Sequence, residues 1–221
     1  MRWLLLCGLA LGIAGGAHPA PAIAAPPADG PGCIGVMVEE CVRWLRATMT
    51  IDEDFLVGAM AHRHDMDVNG RPIGGGLVSV YAQLPGELYN FVILLHLRPD
   101  DTVQRAESNL LHDLLTTETE RFYDQSKVYD IVWRLLGRRC PGISKIDLYR
   151  FFENLVKPRI TRQRQDLSSG INGLHRIWSR ATGVPYCGGV TFAYTHLLEW
   201  RGAKDPEAAA KATESVSIAL Q

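Results

Sequence analysis

Neither sign of charge dominates this sequence: 23 Lys and Arg stand against 24 Asp and Glu over 221 residues. A nucleic-acid binder is usually clearly basic, so this balance argues against one. Also missing are Cys-x-x-Cys, Gly-x-Ser-x-Gly, His-Glu-x-x-His and a P-loop. Those gaps argue against a redox catalyst, a serine-elbow hydrolase, a zincin and a P-loop NTPase. A site assembled from distant residues leaves no such local mark. Nothing here asks for a cofactor. Past the N-terminus, no run is apolar enough to span a bilayer.

What is present begins with an address. Arg2 precedes an apolar run from Leu4 to Ala17, and Ala22-Ile23-Ala24 stands before Ala25. A short charged start, a short apolar core and small residues at alternate positions predict a signal peptide over 1–24, so the protein is expected in the periplasm or secreted. Cys7 lacks the small residue before it that a lipoprotein needs. Residues 25–32, rich in Pro, Ala and Gly, read as a flexible mature N-terminus. Loss of Arg2 leaves 22 bases against 24 acids, a net −2.

The mature chain keeps Cys33, Cys41, Cys140 and Cys187. An even count in an exported protein predicts two disulfides, with buried free thiols as the alternative. CIGVMVEEC cannot be bridged if wholly helical, because eight residues rise about 12 Å. Gly35 permits a turn first, so the favoured pairs are 33–41 and 140–187.

Periodicity predicts a helix over VEECVRWLRATM and strands over GLVSVYAQL, LYNFVILLHL and VTFAYTHLLEW. FLVGAMAHRHDMDV is ambiguous by period. Further helices are expected over DDTVQRAESNLLHDLL, SKVYDIVWRLLG, SKIDLYRFFENLVKP (Ser144 as cap, Pro158 as limit) and INGLHRIWSRATG, which Gly183 closes. The tail 201–221 reads as weakly helical or disordered. The sum is an α+β fold: a small antiparallel sheet of about three or four strands packed on several helices, one disulfide-stapled domain over 33–200.

DMDVNG (65–70) has the oxygen donors of half a calcium loop, but position 12 is Gly76 rather than a bidentate Glu. Asn69-Gly70 fits a type I′ hairpin turn better. On a strand His62 and His64 would share one face, with Asp65 and Asp67 on the other, and no third zinc ligand is specified nearby. No metal site is therefore assigned, although a divalent-metal binder through His62–Asn69 stays an alternative. TIDED and TTETE read as solvated loop or helix-start acids. GVPYCGG is similar to a PY-x-x-GG stretch of NlpC/P60-type peptidoglycan hydrolases. In that family the nucleophilic cysteine follows later, whereas here Cys187 lies inside the motif with only His196 after it. No catalytic residue is carried over.

Lys157, Arg159, Arg162 and Arg164 crowd VKPRITRQRQD, with Arg176 and Arg180 beyond. Guanidinium groups suit carboxylates and phosphates. Pro158 is expected to leave 159–165 as an exposed connection, so Arg159, Arg162 and Arg164 are candidate contacts for an acidic protein or an anionic envelope component. The function expected is a non-catalytic binding or envelope-support domain; a secreted hydrolase is the alternative.

Overall fold

The computed structural model describes residues 30–65, 67–69, 71, 74–85, 90–113, 125–167, 173–202 and 211–221. The proposed signal peptide and TTETE lie outside them.

The sheet has eight strands, not three or four, and all its pairings are antiparallel. Strands β1 (Thr50–Ile51), β2 (Leu77–Gln83), β3 (Asn90–Leu97) and β4 (Val103–Asp113) form one meander. Strands β5 (Thr161–Asp166), β6 (Leu174–Pro185), β7 (Val190–Arg201) and β8 (Lys211–Leu220) form a second. The order β1-β2-β3-β4-β8-β7-β6-β5 joins the halves along β4 and β8. Helix α1 (Val38–Thr48) precedes β1 and α2 (Glu53–Ala61) lies between β1 and β2 in the first half, while α3 (Gln125–Leu136) and α4 (Lys145–Phe151) precede the second.

Alternation sets the buried face. Val78 and Val80 of β2, Ile93 and Leu95 of β3, Phe192 of β7 and Ile218 of β8 form one core with Leu45 of α1, Ile131 and Leu135 of α3, and Leu148 of α4. Ser144 and Asp147 close a capping box on α4, and the chain then continues through a π turn and a 3-10 turn holding Pro158.

Two expected helices are strands. In β6 Leu174 and Ile177, three residues apart as on a helix, stand on opposite faces of one strand, and Gly183, at φ 65°, lies inside a register shift between Ala181 and Val184 rather than at a helix end. In β4 a register shift opposite His96 and Leu97 puts the buried Val103 and Ala106 three residues apart. A bulge inserts one residue, so the core face advances by three and imitates a helical step. The tail is also corrected. Lys211–Leu220 is β8, second of the two strands at the middle of the sheet, and Val216 and Ile218 are its buried alternates. Its alanines and glutamates suggested helix, but tertiary pairing prevails over that propensity.

The N-terminal segment is not loose throughout. Gly30 and Gly32 are buried, Cys33 N donates to Leu135 O at 2.8 Å, and Gly30 O accepts from Arg138 N at 2.8 Å. Gly35, at φ 80°, turns the chain so that Cys33 reaches Cys41, with Cα atoms 4.5 Å apart. Cys140 and Cys187 form the second cystine, Cα–Cα 5.5 Å, tying the end of α3 to the β6–β7 connection.

A buried cation links the helices. Arg134 on α3 is 4% exposed; it donates to Thr48 O at the end of α1 (2.8 Å) and to Asp130 Oδ2 (3.2 Å). Lys145 of α4 pairs with the other oxygen of Asp130, and the Trp44 indole donates to Arg134 O at 2.9 Å. Three helices thus share one polar junction inside the apolar layer.

Candidate functional site

The arginine segment is a strand, not a loop. β5 stands last in the sheet, pairs only with β6 among the described residues, and is exposed at all six positions. Alternation places Arg162, Arg164 and Asp166 on one face, opposite Ser179, Ile177 and His175 of β6, with Thr161, Gln163 and Gln165 on the other. Arg164 Nε lies 3.1 Å from Asp166 Oδ1 and its guanidinium 5.7 Å from the Trp200 ring. His175 bonds Asp166 at 2.7 Å and stacks on Trp200. The bond from His175 first, and then that from Arg164, hold the Asp166 carboxyl below its ordinary range. Arg159, on the turn before β5, and Arg162 have no ion pair among the described residues, whereas Lys157 pairs with Glu153 and Arg176 with Glu199. Across β6, His196 on β7 is held below its ordinary pKa by burial and then by Arg162, and so stays neutral beside that cation.

A second feature lies near the other edge. A cleft of about 650 Å³ opens between α2 and the sheet, lined by Asp54, Phe55 and Gly58 of α2, Asp65 beyond it, and Leu77 and Ser79 of β2. This volume falls in the range of small-molecule sites. FLVGAMA is therefore helix, and DMDVNG connects α2 to β2 instead of joining two strands. Asp67 Oδ1 accepts from Asn69 N and Arg71 N, each at 2.8 Å, while Gly70 of the expected turn lies outside the described residues. Asp52 of TIDED caps α2, and Glu53 pairs with Arg46 at 2.7 Å.

The histidines separate. His62 faces the cleft, while His64 turns inward, its Nε2 2.6 Å from Asp101 Oδ1. Asp101 Oδ2 also takes Arg63 at 2.9 Å, and Arg63 reaches Glu39 at 3.0 Å. His64 Nδ1 is buried without a hydrogen-bond partner among the described residues. His96, also on the cleft, accepts or shares a bond with Arg105 at 2.7 Å; burial, then Arg105, keeps it neutral. Among the described residues no hydrogen bond joins Ser79 to His62 or His96. Among the described residues no three His, Cys, Asp or Glu side chains converge as a metal site.

Asp101 has φ 62°, which strains a residue bearing a Cβ. Asp101→Ala keeps that strain and strands Arg63 and His64, so a loss of about 2–3 kcal/mol is expected in urea unfolding. Asp101→Gly removes the same carboxylate but relaxes the backbone, and is expected to lose about 1 kcal/mol less. Equal losses would show that the backbone stores no strain there.

Sequence reasoning reached the arginines, and His62 and Asp65 singly, but not the cleft, whose residues come from α2, β2, β3 and the connection between α2 and β2. The one available signal was Gly58 inside an apolar stretch. No protein-family model, curated protein or solved structure matches this chain.

Proposed function

We propose that this chain is an exported, non-catalytic binding domain that takes an acidic, extended segment of a partner along β5. The observation that carries the reading is the edge itself: six exposed residues, paired on one side only and with Arg162 in no ion pair among the described residues, and Arg164 beside it on one face. An added strand would find main-chain partners along the free rail and guanidinium groups opposite its alternate side chains. Two cystines, together with the N-terminal sequence pattern, support export to the periplasm or beyond. No described helix is long and apolar enough to cross a membrane.

The test uses a labelled peptide alternating Glu with Val, read by fluorescence anisotropy. Binding is expected to weaken at least tenfold in Arg159→Gln/Arg162→Gln/Arg164→Gln. It is expected to fall again as salt rises, since charges are screened within about 8 Å at physiological ionic strength. Melting temperature should move little, because an exposed pair such as Arg164–Asp166 contributes at most about 1 kcal/mol. Binding indifferent to both mutation and salt would leave these charges as guards against self-pairing of the edge, and the reading would fail.

A further inference from the structure

Gly58 sits in the middle of α2, where glycine is a poor helix former. Packing does not require it. A Cβ built there meets no atom within 4 Å, so the missing side chain faces open space, and that space is the cleft. Two exposed apolar side chains flank the same opening: Phe55, 42% exposed and stacked edge-on against Tyr81 at 4.1 Å, and Leu77, 44% exposed.

The charges at this opening are unbalanced. Arg63, the only arginine or lysine among the described lining residues, is matched by Glu39 and Asp101. Asp54 and Asp65 have no ion pair or side-chain hydrogen bond among the described residues. An apolar wall bearing an accessible aromatic ring, next to two unmatched carboxylates, complements a positive charge carried on a hydrocarbon body. An anion would meet two like charges, and a neutral ligand would leave both carboxylates without a counter-charge.

We infer that the α2–β2 cleft binds an organic ammonium group on a short aliphatic stem, with Gly58 leaving room for the stem, Phe55 and Leu77 as its walls, and Asp54 and Asp65 as counter-ions. The ammonium can belong to a free amine or to a lysine side chain of a peptide. This site lies near the β1 edge of the sheet, remote in strand order from β5, so it stands or falls separately from the acidic-segment reading.

Calorimetric titration of the disulfide-intact protein with n-hexylammonium, n-hexanoate and N-acetyl-Ala-Lys-Ala-amide provides the test. Saturable binding of hexylammonium and none of hexanoate is expected. Tighter binding of the lysine peptide than of the amine would assign the source as a peptide, and the reverse a free amine. Asp54→Asn/Asp65→Asn is expected to weaken binding at least tenfold, and Gly58→Leu to abolish it while leaving the acidic peptide at β5 unaffected. Gly58→Ala is expected to raise the melting temperature; a fall would show that the glycine is needed by the fold and would remove the premise. If Gly58→Leu does not fold, the exposed carboxylate pair decides the matter alone. Absence of hexylammonium binding, equal binding of hexanoate, or indifference to the carboxylate variants would overturn the inference.

Discussion

Replacing Asp130 by alanine is expected to cost about 3–5 kcal/mol, the range for removing one partner of a buried ion pair. The mutation leaves Arg134, 4% exposed, with only the Thr48 carbonyl as acceptor among the described residues, and frees Lys145 from its ion pair as well. The magnitude comes from the charge left behind, not from the bond lost. Arg134→Met, which removes the cation and refills its volume, should therefore cost less than Asp130→Ala, even though it takes away more hydrogen bonds. The remaining loss in Arg134→Met is the Thr48 carbonyl, left without this donor at the end of α1. Urea unfolding of the two single variants gives the order directly. Asp130→Ala costing under about 1 kcal/mol would mean that water reaches the guanidinium and that the junction is not dry.

Loss of the second cystine is expected to be comparably large. Cys140 and Cys187 close a loop with a sequence separation of 47 residues. Loop-closure entropy then predicts about 4 kcal/mol of stabilisation through the unfolded chain, against roughly 2.5 kcal/mol for the Cys33–Cys41 loop, with a separation of 8. Cys140→Ser/Cys187→Ser should therefore lower the denaturation midpoint more than Cys33→Ser/Cys41→Ser, unless loss of the shorter bridge also frees the buried segment before α1. Protein purified under non-reducing conditions should yield no alkylatable thiol before reduction. Four reactive thiols in native protein would remove both the stabilisation and the main structural support for export.

Much of the fold was legible wherever one period held throughout a segment. Val78, Val80 and Ala82 alternate cleanly, and β2 runs where expected; Ser144 and Asp147 mark the start of α4 as their spacing implies. Reading failed where a bulge interrupted alternation. Val103 and Ala106 look like neighbours on a helix only because one inserted residue converts a step of two into a step of three, whereas Leu174 and Ile177 imitate that step from opposite faces of β6. β8 was hidden by its first residues, whose Ala and Glu favour helix, although Val216-Ser217-Ile218-Ala219-Leu220 alternates. The arginines were visible as residues but not as an edge, since an edge is a property of strand order. The cleft was invisible for a related reason: Gly58 and Leu77 are brought together by α2 folding back on β2, and nothing local marks that approach.

The seam between β4 and β8 gives this fold a sense of time. Its ladder joins Arg105 to Ala219, 114 positions apart, and runs to Asp113 and Lys211. Pairings that distant form slowly, because the long intervening chain must be ordered before they are gained. A chain delivered from its N-terminal end has every strand of the first meander in place while β8 is still far behind. Throughout that interval the outer rail of β4 is an unpaired edge, open to any extended segment, including β4 of a neighbouring molecule. Arrival of the last strand closes that window and converts two separate half-sheets into one.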